Sequence, residues 1–443
     1  MTAARPVVRY APSPTGRLHL GNARPALLNW LFALRHGADY VLRLDDTDVA
    51  RSTEEFAQGI EIDLAWLGIT PALKVRQSDR TAIYEEAKAR LIGSGRLYPA
   101  YETEEELEIK RGRARLLNKP PIYDRAALAL TEQQKHAYRA EGRVPHWRFR
   151  LDGRPVQFTD LIKGPQTVNT ASMSDPVLIR GDGSYLYTLP SVVDDISLGI
   201  THVIRGEDHV SNTGTQIEIF EALGGPVPQF GHHNLLTGAE GEGLSKRLGS
   251  LSLSELRVDG FEAMAVALVA VLTGTSLAVE PYPSLAALAE RLDFSMISHG
   301  PARFDAAELA SLNARMLHGL SFEDVARRLP PGIDEAAWLV LRGNLQKFGD
   351  IAPWPQILSG DIGHNADPAD IEFLALAREL LPPEPWDETT WSTWTNALKA
   401  QSGRKGRALF HPLRLALTGR EDGPELKSLL PLMGRTVSLA RLS

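Results

Sequence analysis

The sequence predicts an α/β domain on a parallel sheet, interrupted by an α+β insertion and followed by a mainly α-helical region. Three observations carry this. Apolar strand-like runs alternate with amphipathic segments over residues 1–95 and again over 175–240, the rhythm of strands joined by crossover helices. Residues 96–174 lose that rhythm and gain charge. Beyond Phe261 the apolar spacing turns helical, and the region divides into 241–320 and 321–443.

Taken in order, Val7 to Tyr10 predict the first strand. Ala11 to Asn22 read APSPTGRLHLGN, and from Ala23 to Arg35 the residues Leu27, Leu28, Leu31, Phe32 and Leu34 keep helical spacing. This is strand, loop, helix, with Asn22 near the N-cap, Pro25 in the first turn and Gly37 closing the far end. A loop that delivers a ligand onto free N–H groups and the positive end of a helix dipole suits phosphate. Pro12 and Pro14 stiffen it, Gly16 and Gly21 admit a ligand to the backbone, and His19 offers a donor. The same residues also fit a turn that binds nothing. Tyr40 to Leu44 predict a buried strand running into Asp45, Asp46 and Asp48, at the sheet edge where α/β proteins take ligands. These acids suit a cation or an ammonium group, or a capped, solvated turn. Ser52 and Glu55 predict a capping box before the helix that carries Phe56, Ile60, Leu64 and Leu67.

Within 96–174, Glu102 to Glu108 are acidic, while Lys110, Arg111, Arg113, Arg115 and Lys119 form a basic run that meets phosphate or lies solvated. Strands are expected at Trp147 to Leu151 and Val156 to Phe158. Asp194, Asp195, Glu207 and Asp208 fit acid–base or metal chemistry, or structural partners for arginines. Gly241 to Leu251 form a polar, glycine-rich loop whose Lys246 can reach phosphate as a point charge, or an exposed turn. Pro330-Pro331-Gly332 and Leu381-Pro382-Pro383 mark joints. Arg404, Lys405 and Arg407, beside Phe410 and His411, suit RNA or a basic helix end.

Composition narrows the function. The 443 residues exceed one ordinary domain, and no run approaches the roughly 18 apolar residues that cross a bilayer. With no secretory signal at the N-terminus, the expectation is a soluble, cytoplasmic protein with no membrane partner. The absence of cysteine excludes thiolate catalysis and cysteine-ligated zinc, so no zinc is expected. A net charge of −7 disfavours indiscriminate nucleic-acid binding but leaves room for a local basic face.

The stretch from Ala11 to Asn22 resembles the first signature of class I aminoacyl-tRNA synthetases, in the form found in glutamyl-tRNA synthetases. Arg43 to Asp48 resemble that family's Arg-Ile-Glu-Asp-Thr-Asp, and Leu244 to Arg247 its second signature, with Gly243 in place of the usual first lysine. The resemblance runs in order through essentially the whole chain. It implies a Rossmann-type catalytic domain in two halves (1–95 and 175–240), an acceptor-end-binding insertion (96–174), a helical stem-contact domain (241–320) and a helical anticodon-binding region (321–443). It implies activation of glutamate by ATP with Mg²⁺, giving glutamyl adenylate, then transfer to tRNA by a monomer.

The residue roles it implies follow. His19 and Lys246 act on the ATP phosphates; Pro12, Gly16, Gly21, Asp208, Leu236, Ser245 and Arg247 complete the ATP site. Arg9, Ala11, Ser13, Asp45, Tyr187, Ser191 and Arg205 hold glutamate, with aspartate at 45 for the family's glutamate and serine at 191 for asparagine. Arg404, Lys405 and Arg407 contact tRNA. Glutamate tRNA, glutamine tRNA or both remain open as acceptors, and a catalytically impaired RNA- or amino-acid-binding regulator is the alternative.

Overall fold

The computed structural model describes residues 5–238, 241, 252–363, 367–387 and 389–442. The chain divides into two compact units, Met1–Leu256 with Val266–Asp305, and Arg257–Ala265 with Ala306–Ser443. Ser245, Lys246 and Arg247 of the expected second signature lie outside the described residues.

In the first unit the strands are β1 (Val7–Tyr10), β2 (Asp39–Leu44), β3 (Leu73–Arg76), β4 (Leu97–Ala100), β5 (His146–Phe149), β6 (Pro155–Asp160), β7 (Gly164–Asn169), β8 (Val177–Ile179), β9 (His202–Gly206) and β10 (Gln229–His233). The helices are α1 (Leu20–His36), α2 (Glu54–Trp66), α3 (Thr81–Gly93), α4 (Glu104–Leu116), α5 (Glu132–Ala140), α6 (Thr188–Ser197) and α7 (Val210–Ala222). The main sheet has the order β3-β2-β1-β9-β10-β6-β7 and is parallel except for β7. From β1 the chain winds outward through α1 and α2, and from β9 it winds the other way through α7. The crevice between β1 and β9 is therefore the topological switch point, where ligands of open α/β sheets bind.

The segment expected as an insertion is used in two places. Strands β4, β5 and β8 form a separate antiparallel sheet, whereas the β6–β7 hairpin joins the outer edge of the main sheet. Packing explains the attachment: Val156 is buried in the same core cluster as Phe230 of β10, and Phe158 meets Phe230 edge-on at 6.0 Å.

Helix α1 begins three residues earlier than its apolar spacing suggests. His19, not Asn22, is the N-cap: its Nδ1 accepts from the Gly21 N–H at 3.1 Å, and the Asn22 side chain accepts from the His19 N–H at 3.4 Å. Pro25 therefore lies within the helix rather than its first turn, where its missing N–H costs a bond to the Gly21 carbonyl. Gly37 ends the helix in the left-handed region, φ 61°. Helix α2 is capped by Thr53, which accepts from the Phe56 N–H at 3.2 Å, in place of the expected Ser52–Glu55 pairing.

The second unit is helical from Ala306–Gly319 to Leu426–Arg441. Its core surrounds Trp338 and Trp394, both fully buried, whose indole N–H groups donate to the Leu320 carbonyl at 3.1 Å and the Ala377 carbonyl at 2.8 Å. The proline-rich joints fall between helices, as their backbone restrictions require. Among the described residues no helix is long and apolar enough to cross a membrane.

A buried arginine ties α1 into the first unit. Arg24 is fully buried and donates to the carbonyls of Ala270 at 2.8 Å and Thr273 at 2.7 Å, and to the Asn234 side chain at 2.5 Å. Arg24→Met removes the donor from two carbonyls and the buried Asn234 amide oxygen, at about 1–3 kcal/mol each, so unfolding free energy falls by at least about 3 kcal/mol, measurable by urea denaturation. Close by, burial and then the Arg24 charge push the pKa of His233 down to about 3. An unfolded imidazole titrates near about 6.5, so the unfolded chain takes the proton first. The stability His233 contributes is complete above about pH 6.5 and is lost as pH falls toward the folded value, at up to about 1.4 kcal/mol per pH unit. Urea titrations at pH 7, 6 and 5 should show this slope in the wild type and a flatter one in His233→Gln.

Candidate active site

At the carboxyl ends of β1, β2, β9 and β10 lies a cavity of about 760 Å³. The sequence places it there because each strand ends in a loop that carries chemistry. After β1 come Ala11, Pro12, Ser13 and Gly16; after β2 comes Asp45; within and after β9 come Arg205, Asp208 and His209; after β10 comes Leu236. All of these line the cavity together with Arg9, His19, Gly21 and Tyr187. Of the described residues expected to bind ATP or glutamate, Ser191 alone stands apart: it is fully buried and does not line the cavity.

One end of the cavity is the N-terminus of α1. His19 accepts from the Gly21 N–H through Nδ1, so its ring proton sits on Nε2 and that atom is a donor. Burial lowers its pKa, which keeps the imidazole neutral near pH 7. A neutral N–H beside the positive end of a helix dipole fits a phosphate oxygen without adding a proton equilibrium.

The other end is built from arginines. Arg43, fully buried in β2, holds Asp45 in a fork, Nε to Oδ1 at 2.7 Å and Nη2 to Oδ2 at 3.1 Å. It also donates to Asp195 at 2.8 Å and to the Ser191 hydroxyl at 3.1 Å. Asp195 in turn accepts from Arg9 at 3.3 Å. Burial raises the pKa of Asp45, while the Arg43 charge and hydrogen bonds oppose that rise.

Arg205 differs. It is buried and donates to the His232 Nε2 at 3.1 Å, the Tyr187 hydroxyl at 3.2 Å, the Thr213 hydroxyl at 2.8 Å and the His209 carbonyl at 3.4 Å. Among the described residues it has no ion-pair partner, and it opens on the cavity. A guanidinium so placed is poised to take a carboxylate from a ligand.

The four acids weighed as acid–base or metal groups are dispersed. Asp194 is fully buried and accepts from Arg80, Gln77 and Tyr84. Asp195 serves Arg9 and Arg43, and Glu207 pairs with Lys163 at 2.5 Å. Asp208 remains at the cavity wall, 3.6 Å from His209. No group of three or more metal-ligating side chains occurs among the described residues.

Sequence reasoning missed Arg43, Thr15, Asn22, His209 and His233. For Arg43 a signal existed: a lone charge inside the apolar run Tyr40 to Leu44, in a strand flanked on both sides, must be buried and must find polar partners.

The basic run in the insertion is largely internally paired: Arg111 meets Glu104 and Glu108, Arg115 meets Glu108, and Lys110 meets Glu102 and Asp124. In the second unit Arg404 pairs with Asp370 and lies over the Phe373 ring at 4.5 Å, whereas Lys405 and Arg407 are exposed and the cation over the Phe410 ring is Lys399.

Comparison with known proteins identifies the family. Residues 6–310 match the family model described as tRNA synthetases class I (E and Q), catalytic domain, and residues 357–443 match that of an anticodon binding domain. Glutamate–tRNA ligase 2 of Beijerinckia indica subsp. indica is 58% identical, covering 99% of each chain. Glutamate–tRNA ligase 2 of Xanthobacter autotrophicus is 59% identical over 100% of this chain and 97% of that one. A crystal structure of a glutamate tRNA ligase from Elizabethkingia meningosepticum, in complex with its amino acid, superposes with a TM-score of 0.83 at 25% identity, covering 99% of this chain and 98% of that one. A catalytic-domain match over more than half the chain, with full-length relatives above half identical, makes this chain a member of the glutamate–tRNA ligase family of class I tRNA synthetases.

Proposed function

We propose that the cavity binds glutamate at its arginine-lined end and ATP at its His19 end, so that the two meet at the carboxyl edge of β1 and β9. The activity of this family member is the ATP-dependent attachment of glutamate to tRNA. The observation that carries the site assignment is Arg205, a buried guanidinium with no ion-pair partner among the described residues, opening on the cavity that the N-terminus of α1 also lines.

In this reading Arg205 and Arg9 take the side-chain carboxylate of glutamate, with Tyr187 beside them. Asp45, with Ala11 and Ser13, faces the α-ammonium group; Ser191 acts at one remove, by holding Arg43. Pro12, Gly16, His19, Gly21, Asp208 and Leu236 take ATP, which arrives with Mg²⁺. The glutamate α-carboxylate attacks the α-phosphorus, an oxygen–phosphorus bond forms and pyrophosphate departs. A hydroxyl of the terminal tRNA ribose then attacks the acyl carbon and AMP leaves. Both nucleophiles belong to substrates, so the protein contributes position and charge. The neutral His19 Nε2–H donates to a phosphate oxygen, and Lys246 with Ser245 and Arg247 meets the charge that develops on the transferring phosphate. We assign residues 96–174 to the acceptor end of tRNA, 241–320 to its stem and 321–443 to its anticodon, with Arg404, Lys405 and Arg407 on RNA. The chain acts as a cytoplasmic monomer.

The test is side-by-side charging of glutamate tRNA and glutamine tRNA transcripts with labelled glutamate and ATP. Charging of at least one is expected, and the pattern identifies the acceptor. Folded protein that charges neither would overturn the reading in favour of a regulator. Lys246→Ala should slow adenylate formation at least about a hundredfold, the scale for losing one transition-state donor. A rate within about threefold of wild type would remove Lys246 from that role.

A further inference from the structure

Behind Arg205 stands a second layer that none of the substrate assignments uses. His232, on β10, is fully buried and receives the Arg205 Nε–H on Nε2 at 3.1 Å. Its Nδ1 lies 2.5 Å from Asp160 Oδ2, at the end of β6. Asp160 is itself buried, and its Oδ1 accepts from the backbone N–H groups of Ile162 at 2.9 Å, Lys163 at 2.9 Å and His232 at 3.1 Å.

The proton positions follow. A guanidinium N–H can only donate, so Nε2 must be bare and the ring proton must sit on Nδ1, donated to Asp160. We propose that Asp160 and His232 are positioning residues for glutamate: Asp160 selects the tautomer of His232 whose bare Nε2 orients Arg205 toward the substrate carboxylate. This rests on the assignment of Arg205 to that carboxylate.

The arrangement answers a conflict in the site. A carboxylate in direct contact would orient Arg205 well but compete with the substrate for it. A neutral imidazole between them supplies the acceptor without the competing charge, and the acid one ring away fixes the imidazole. The surroundings favour the neutral ring. Burial lowers the pKa of His232 and the charges of Arg205 and Lys163 add to this, against the opposing pull of Asp160. Burial would raise the pKa of Asp160, but the hydrogen bonds it receives from His232 and the backbone bring it below the ordinary value. The remaining neighbours are the Thr213 hydroxyl, the rings of Phe158 and Phe230, and His209 and His233, whose own pKa values are lowered by burial.

The test is steady-state charging of tRNA at varied glutamate and varied ATP. Asp160→Asn can turn its amide N–H toward Nδ1, which forces the ring proton onto Nε2 against the Arg205 N–H. It should raise the KM for glutamate at least about tenfold and leave the KM for ATP within about twofold. In a His232→Gln background, which has no tautomer to select, the same change should cost less than about threefold. Full additivity, or equal rises in both KM values, would overturn the proposal. Arg205→Lys separates the two layers. If it leaves the glutamate KM unchanged, the reading of Arg205 fails; if it raises that KM while Asp160→Asn does not, only the positioning role fails. Should Asp160→Asn not fold, His232→Gln and His232→Leu decide. Glutamine, which can restore an acceptor, should lie closer to wild type in glutamate KM than leucine, and equal values would overturn the proposal.

Discussion

Arg43 puts a permanent positive charge at zero exposure in the middle of a parallel sheet, and the arginine-lined end of the cavity is organised by the need to compensate it. A guanidinium does not deprotonate under ordinary conditions, and here it is acids in contact that compensate it. Asp45 comes from the end of the same strand, while Asp194 and Asp195 come from α6, about 150 residues later in the chain. The compensation therefore joins the two halves of the catalytic unit across the crevice they form. Networks of this kind add little net stability over apolar packing, yet losing one partner leaves a bare charge and costs several kcal/mol. What the network fixes is geometry: it sets the direction of Asp45 at the cavity wall and, through the shared oxygen of Asp195, the direction of Arg9.

The same network gives physical sense to the two departures from the family pattern at this end. Asp45 has both oxygens in the fork of Arg43, and the Ser191 hydroxyl occupies the Nη2 that also serves Asp45 Oδ2. A shorter acid and a shorter hydrogen-bonding side chain thus meet at one guanidinium. The two positions are partners in contact, and neighbours of this kind couple rather than act independently.

How far the sequence discloses this depends on sequence distance. The strand–loop–helix of residues 7–36 is legible because its spacing and loop residues are local. So are the parallel sheet, the helical C-terminal third and most of the cavity lining, since the loops after successive buried strands must gather at one edge. The start of α1 is misplaced because a histidine is not a residue that local preference puts at an N-cap, although here its imidazole serves. The neighbouring of β1 and β9, and of β6 and β10, has no local trace: continuous apolar strands look alike, and pairing across about 70 to 190 residues is decided by packing. Asp160 and His232, 72 positions apart, are invisible for the same reason.

Three buried arginines of this unit then show how one side chain acquires different functions from its partners. Arg24 donates to carbonyls and an amide, which satisfy its hydrogens and leave it a structural tie. Arg43 meets carboxylates directly, so most of its field is cancelled where it stands. Arg205 meets an imidazole, two hydroxyls and a carbonyl, which satisfy four hydrogen bonds and cancel almost none of the charge. Coulomb energy falls with separation: Asp160 lies a full ring away and Asp195, which also acts on Arg205, is held by Arg9 and Arg43, so attraction remains for an anion arriving from the cavity side. Burial strengthens that attraction because little water competes. A neutral amide reaching the one remaining N–H of Arg205 satisfies a hydrogen bond but brings no charge to a guanidinium that has no ion-pair partner among the described residues.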